Sequence, residues 1–157
     1  MPSSKSKISV VIPTYNRASF ISVAIDSVLD QKGKWGLDII VVDDGSTDNT
    51  EEILKSYKNK VRYFKVPHSG LPAVARNFGI SKARGDLIAF QDSDDIWVED
   101  KLASQVPLFK DSSVVLTYGN AEKINERGIR SHKQIVTSKK LPGGEKFKAL
   151  LSENVIS

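Results

Sequence analysis

Leu87-Ile88-Ala89-Phe90-Gln91-Asp92-Ser93-Asp94-Asp95 decides how this chain is read. Four apolar residues run straight into three carboxylates packed within four positions. Packing alone gives a buried strand no reason to end this way. Close carboxylates repel one another, and each needs a cation, hydrogen-bond donors or open water. A hard divalent cation such as Mg²⁺ or Mn²⁺ suits them. Such ions favour oxygen ligands and often take only one or two protein carboxylates, leaving the rest to water and substrate phosphates. A solvated acidic turn is the plain alternative. The rest of the chain has to choose between them.

Outward from this stretch, short apolar runs alternate with helical patterns. Ile8 to Ile12 reads as a buried strand ended by Pro13. Asn16 is placed to cap a helix from about Arg17 to Asp30, with Phe20, Ile21, Ala24, Ile25, Val28 and Leu29 on its apolar face. Leu37 to Val42 is a second strand. Asp48 and Glu51 have capping-box spacing for a helix reaching about Tyr57. Val61 to Val66 is a third strand. A helix over about Leu71 to Ala83 follows, with Pro72 in its first turn and Gly85 past its end. Asp86 to Gln91 is the fourth strand, Val98 to Lys110 a helix, and Val114 to Tyr118 a fifth strand. Glu126-Arg127-Gly128 reads as a hairpin tip between two short polar strands, and about Glu145 to Leu151 as a last helix.

This order predicts an α/β fold: a Rossmann-like, mostly parallel sheet with helices on both faces and right-handed crossovers. Ligands bind beyond the carboxyl ends of the strands in such sheets. Three of those ends are polar here: Pro13-Thr14-Tyr15-Asn16, Asp43-Asp44-Gly45-Ser46 and Asp92-Ser93-Asp94-Asp95. Each taken singly has an ordinary reading. Asp43 and Asp44 can end a strand in an Asp-Gly turn, or accept from a ribose hydroxyl or a base N–H. Thr14 and Tyr15 are turn residues, or a hydroxyl and an aromatic face for a base. Arg76 is a surface charge, or it points back to the sheet edge to meet phosphates. Three polar clusters at one edge favour the binding readings together.

Composition removes several classes. The 157 residues suit one domain with a real core. There is no cysteine, which excludes disulfides, thiolate zinc sites and a cysteine nucleophile. No Gly-x-Gly-x-x-Gly or Gly-Lys-Ser/Thr motif follows the first strand. The acidic run lacks the sixth-position glycine of a calcium loop. The net charge of +4 comes from residues 121–157, with 8 Lys/Arg against 4 Asp/Glu; residues 1–120 balance at 15 of each. That segment has a single aromatic, Phe147, so nucleic acid is not an expected partner. A solvated face or peripheral contact with an anionic membrane suits it instead. No run is long enough for a transmembrane segment. His68 and His132 lack metal-ligand spacing and are expected as loop or surface residues. Trp35 and Trp97 are expected to pack, and Trp97 stands close enough to the acidic run to wall a site.

Four segments occur in order: Val10-Val11-Ile12-Pro13-Thr14-Tyr15-Asn16-Arg17, Ile40-Val41-Val42-Asp43-Asp44-Gly45-Ser46-Thr47-Asp48, Ala75-Arg76-Asn77-Phe78-Gly79, and Phe90-Gln91-Asp92-Ser93-Asp94-Asp95. In these the chain resembles the inverting family-two glycosyltransferases of the GT-A fold, over about residues 7 to 120. The resemblance implies a nucleotide-sugar donor, with UDP-linked sugars first, and a divalent metal cofactor, Mn²⁺ or Mg²⁺. It implies that Pro13, Thr14, Tyr15 and Asp43 line the base site and that Arg76 lies near base or phosphates. It further implies that Asp92 and Ser93 face the ribose or sugar, and that Asp94, with Asp92, holds the metal. The acceptor would be a hydroxyl of a glycan or a lipid-linked or other molecule, and the location cytoplasmic, at the inner face of the membrane.

Family-two enzymes take the acceptor's proton with a downstream Asp or Glu, often in a Glu-Asp pair. No such pair follows residue 120. The expectation is therefore an N-terminal portion with a donor site and no base. Residues 1–6 would be a disordered N-terminus, 7–120 the nucleotide-sugar-binding domain, and 121–157 the start of an acceptor-side region. The competing readings are a module that binds nucleotide or nucleotide-sugar without transfer, and a metal-dependent nucleotidyltransferase. The latter should carry a Gly-rich basic loop after strand one, where Pro13-Thr14-Tyr15-Asn16 stands instead.

Overall fold

The computed structural model describes residues 7–125 and 130–134. The chain divides into two compact units between Val114 and Val115. The first holds a four-stranded sheet in the order β3-β2-β1-β4, with β1 Lys7–Thr14, β2 Gly36–Asp43, β3 Val61–Lys65 and β4 Leu87–Phe90. All three pairings are parallel. Hence every strand ends at the same edge, and each crossover carries a helix: α1 Ile21–Leu29, α2 Thr50–Lys55 and α3 Pro72–Lys82. After β4 come α4 Lys101–Gln105 and a 3₁₀ turn, Val106–Lys110.

β1 and β2 are buried on both faces. Ile8, Val10 and Ile12 of β1, with Ile39 and Val41 of β2, pack against Ile21, Ile25 and Val28 of α1 and against Trp97, Leu102 and Val106. Val11, Ile40 and Val42 point the other way and meet Ala75 of α3. α3 is only weakly amphipathic, and its small residues let it approach the sheet. A Cβ at Gly79 would run into Val11 Cγ1, so a glycine is required at this contact.

Several expected elements take a different form. β1 does not stop at Pro13 but continues to Thr14. In a parallel ladder alternate residues bond to opposite neighbours. Val11 O accepts from Gln91 N on the β4 side, and Thr14 O accepts from Asp44 N on the β2 side. The nitrogen of Pro13 therefore faces β4. It has no hydrogen to donate, so the β1–β4 ladder ends and the chain after Gln91 is released. The helix expected from Arg17 starts at Ile21, and Asn16 does not cap it. α2 starts at Thr50 and ends at Lys55. The helix expected over Val98 to Lys110 is split, because Pro107 cannot donate inside a helix and the last turn tightens to 3₁₀. Val114 to Tyr118 is not a strand: Val115 is 89% exposed and Leu116 57%. An apolar run without a pairing edge gains nothing from extension.

In the second unit β5 Glu122–Ile124 pairs antiparallel with β6 Arg130–Gln134, as the hairpin reading expects. Its tip at Glu126-Arg127-Gly128 and the helix expected over 145–151 lie outside the described residues. Among the described residues no helix is long and apolar enough to cross a membrane.

At the edge of the sheet where the strands begin, Asp38 is buried and Ser9 Oγ donates to it at 2.8 Å. Arg62 donates to both its oxygens at 3.0 and 3.2 Å, and the Arg84 N–H donates a fourth bond at 3.1 Å. Burial pushes the Asp38 carboxyl up, but Arg62, Ser9 and the Arg84 N–H outweigh it and hold it below the usual range. A depressed folded pKa gives stability that is present above the unfolded value near 3.9 and is lost as pH falls through the folded one. Asp38→Asn is expected to cost about 1.5–3 kcal/mol at pH 7. Urea unfolding should show the gap between the two proteins narrowing as pH falls from 5 toward 3; a constant gap would remove the charge from the explanation.

Candidate functional site

The C-terminal strand edge is built from four loops tied to one another. Asn16 adopts a left-handed φ of 50°, which asparagine tolerates better than most residues. This turns its amide toward the loop after β2. Its Oδ1 accepts from Thr47 N at 2.8 Å and Asp48 N at 3.3 Å, and its own N–H donates to Ser46 Oγ at 2.9 Å. Arg17 N donates to Thr50 Oγ1 at 3.1 Å and Ala18 N to Asp48 Oδ2 at 3.0 Å. Asp48 also accepts from the Thr50 hydroxyl at 2.6 Å. Burial raises the Asp48 carboxyl, while the Thr50 hydroxyl and the Ala18 and Thr50 N–H groups bring it below its ordinary value. Asn16, expected as a helix cap, serves instead as a clamp between loops; Asp48 joins the loops through Ala18 N and also accepts from Thr50 N, at the first residue of α2, at 3.0 Å.

The loop after β3 is held by Asp44. Its Oδ1 accepts from Ser69 N at 2.8 Å and Ser69 Oγ at 2.9 Å, and its Oδ2 from Gly70 N at 2.9 Å. Burial pushes this carboxyl up, and the Ser69 and Gly70 donors, with His68, pull it below the usual range. His68 Nδ1 lies 2.8 Å from Asp44 O and 3.0 Å from Asp44 Oδ2. A carbonyl oxygen can only accept, so Nδ1 carries a hydrogen. The imidazole stacks on Tyr15, with ring centroids 4.2 Å apart and planes at 22°. Gly45, at φ 79°, brings the two loops together; a Cβ there would sit 3.1 Å from His68 Cβ. His68 is thus part of this edge. Its sequence gave no metal-ligand spacing, and a stacking partner leaves no such pattern.

Asp43 is fully buried and accepts from Ser46 N at 2.8 Å and from the Tyr63 hydroxyl at 2.7 Å. Burial, then Asp43 itself, pushes the Tyr63 phenol up, so it stays a donor. Pro13 is buried in β1. Among the described residues two buried side-chain atoms lack a hydrogen-bond partner: Thr14 Oγ1 and Gln91 Oε1. Thr14 lies at the end of β1, beside the Tyr15–His68 stack in sequence. An unpaired buried hydroxyl is costly, and in native proteins it commonly marks a place for a ligand or water.

The acidic turn follows β4. Gln91 is fully buried, and its Nε2 donates to Asp95 O at 2.6 Å while Asp95 N donates to Asp92 O at 3.1 Å. These two bonds close the turn and hold Asp92 and Asp94 outward, with Ser93 buried between them. The carboxylates have found cations of their own. Arg76 Nη2 lies 2.6 Å from Asp92 Oδ1, and Arg17 Nε 3.3 Å from Asp94 Oδ2. Arg76 therefore points back to the sheet edge, one of its two sequence readings. Arg17 and Gln91 escaped the sequence reading, because neither shows its partner through spacing. Asp95 is pushed up by burial first and then by Asp92 and Asp94. Trp97 packs into the core, and its N–H donates to Ser27 Oγ at 3.1 Å.

The carboxylates that could serve a cation are those of Asp92 and Asp94, all oxygen and from one turn. Among the described residues no group of three or more His, Cys, Asp or Glu converges on one point. The pair suits a hard cation that takes one or two carboxylates and completes its shell elsewhere, and it does not suit a closed protein cage.

Residues 9–155 match the family described as Glycosyl transferase family 2. The Escherichia coli protein named UDP-Glc:alpha-D-GlcNAc-diphosphoundecaprenol beta-1,3-glucosyltransferase WfgD is 36% identical over 124 residues, covering 78% of this chain and 48% of that protein. Staphylococcus aureus TarS 1-349, solved with UDP, superposes with a TM-score of 0.62 at 32% identity, over 67% of this chain and 32% of that one. The mannosyltransferase PcManGT from Pyrobaculum calidifontis, solved with GDP-Man and Mn²⁺, gives 0.66 at 26%, over 73% and 36%. The chain spans between 18% and 54% of the length of the first curated relatives it matches. With its parallel sheet, its motifs in order and these relatives, the chain belongs to glycosyl transferase family 2, with the GT-A fold.

Proposed function

We propose that this chain carries the donor site of an inverting, metal-dependent glycosyltransferase that takes a UDP-linked sugar. The observation that carries the reading is the division of one sheet edge into two unlike halves. One half offers an unpaired buried hydroxyl and an aromatic stack, at Thr14, Tyr15 and His68. The other offers two carboxylates and two guanidinium groups, at Asp92, Asp94, Arg76 and Arg17. A nucleoside diphosphate has the same two halves. UDP in TarS and GDP-Man with Mn²⁺ in PcManGT support the assignment.

In this reading Thr14 Oγ1 bonds the base and the exposed Tyr15 ring covers it, with Pro13 beneath. Asp43 keeps lone pairs beyond the two it uses, and Ser46 and Tyr63 hold it toward the base. Asp92 and Ser93 face the ribose and sugar. Departure of the diphosphate builds charge on its oxygens. A divalent ion, Mn²⁺ or Mg²⁺, held by Asp94 with Asp92, supplies neutralisation of that charge when bound. Arg76 adds a fixed donor for the same oxygens. Inversion implies one displacement by an acceptor hydroxyl, with a carboxylate base to take its proton. That base belongs to the acceptor side and not to the four strand ends described. WfgD, by its name, acts on a diphosphoundecaprenol-linked sugar. A lipid-linked acceptor at the inner, cytoplasmic face of the membrane fits the basic residues 121–157.

UDP is expected to bind this chain in Mn²⁺ and to bind weakly once the metal is chelated, because Arg76 and Arg17 are then engaged by Asp92 and Asp94 and little positive charge is left for the diphosphate. Calorimetric titration under both conditions is the check, and equal affinities would take the metal out of the site. Thr14→Val tests the other half. Removing an unpaired buried hydroxyl should leave the melting temperature unchanged or higher, while UDP affinity falls by about 0.5–1.5 kcal/mol. Undiminished UDP binding would place the base away from Thr14.

A further inference from the structure

Arg17 is positioned more firmly than a surface arginine requires. Its N–H is bonded to Thr50 Oγ1, its carbonyl accepts from Phe20 N and Ile21 N at 2.9 Å each, and the preceding Asn16 is clamped to Ser46, Thr47 and Asp48. The backbone is fixed by contacts that do not involve the guanidinium. The side chain then reaches Asp94, which is 77 residues away in sequence. The contact itself is loose. It runs through Nε alone at 3.3 Å, with the two side chains 43% and 48% exposed, and Nη1 donates to Asn16 O at 3.3 Å. The neighbouring Arg76–Asp92 pair is tighter, at 2.6 Å. An exposed single-point pair of this kind holds weakly and is easily exchanged.

We propose that Arg17 is an exchangeable counter-ion: it neutralises Asp94 in the donor-free protein and passes to the donor's diphosphate when a divalent cation takes Asp94. This rests on the metal-dependent donor reading above. The argument is electrostatic. A cation at Asp94 places two positive charges where the guanidinium supplied one, and cation and guanidinium then repel. The guanidinium has to leave that oxygen. Its tether keeps it at the same strand edge, where a diphosphate is the opposite charge that its planar donors fit. Arg17 therefore opposes the metal when it binds alone and supports it when nucleotide is present. Asp94 gains a counter-ion in both states, so neither state leaves an unpaired carboxylate beside Asp92 and Asp95.

Arg17→Gln separates this role from a structural one, because its two effects have opposite signs. Mn²⁺ affinity without nucleotide is measured by titration against free-Mn²⁺ electron paramagnetic resonance, and UDP affinity in saturating Mn²⁺ by calorimetry, with thermal melts to follow the fold. Arg84→Gln, at the other end of the sheet, controls for net charge. Arg17→Gln is expected to bind Mn²⁺ about two- to five-fold more tightly than the parent, and UDP about ten-fold more weakly. Arg84→Gln should change neither. Unchanged or weaker Mn²⁺ binding by Arg17→Gln overturns the exchange, and so does an equal gain in Arg84→Gln. Unchanged UDP affinity overturns the transfer to the diphosphate. A parent whose UDP binding ignores the metal instead brings down the donor reading, and this proposal with it.

Discussion

Proline at position 13 lacks one hydrogen, and much of the candidate site follows from that. β1 is bonded on both sides, to β2 and β4, so it fixes where its neighbours end. The next rung after Gln91 N to Val11 O would be donated by residue 13. Without it β4 stops at Phe90 while β1 continues beside β2 to Thr14↔Asp43. The chain leaving β4 can then form the closed turn that displays Asp92 and Asp94. A residue that donated here would extend the ladder and draw the acidic turn into sheet geometry, where like charges would be held along one edge strand. Asn16, three residues on, completes the arrangement by turning the chain back over the β2 loop.

Charge is treated in two ways in this protein, and burial separates them. At the edge where strands begin, Asp38 is almost wholly buried, and Ser9, Arg62 and Arg84 saturate it. Breaking such a network strands a charge in a poor solvent, so it stays closed. At the edge where strands end, Asp92 and Asp94 are half exposed, and each meets one arginine. Water can replace either partner at little cost. The same residue types therefore give a fixed brace at one end and an exchangeable set at the other. Asp95 is pushed up by burial and then by its neighbours Asp92 and Asp94.

The four parallel strands and α3 were legible because their signals are local. Unbroken apolar runs such as Val10 to Ile12 can only be buried, and Pro72 at the start of α3 acts on its own backbone. What the sequence hid depends on partners far along the chain. Asn16 and Asp48 have the composition of helix caps, yet Asn16 gives its amide oxygen to the β2 loop, and Asp48 divides its oxygens between Thr50 and the distant Ala18. Val114 to Tyr118 has strand composition, but a strand needs an edge to pair with, and composition does not report one. Arg17 and Gln91 stood inside motifs without a partner to give them a role, and His68 stood outside them: their contacts are with Asp94, with Asp95, and with Tyr15 and Asp44. The acidic run was read as needing a cation, hydrogen-bond donors or open water, and in the structure Asp92 and Asp94 meet arginines.

The two halves of the edge also differ in how much they must change to bind. Asp43 and Asp44 already have their internal bonds, and Tyr15 and His68 are stacked, so the half proposed for the base is built before any ligand arrives. Binding there costs little ordering, and its specificity can come from a single unpaired hydroxyl, Thr14 Oγ1. The acidic half starts from paired charges and has to exchange partners. Its contribution is then set by differences between ion pairs, which depend on metal, salt and the charge of the ligand. On this view the base half sets which nucleotide stays, and the acidic half sets whether the diphosphate is held in the state from which it can leave. A leaving group gains charge as its bond breaks, so exchangeable cations on its side favour the transition state over the bound donor.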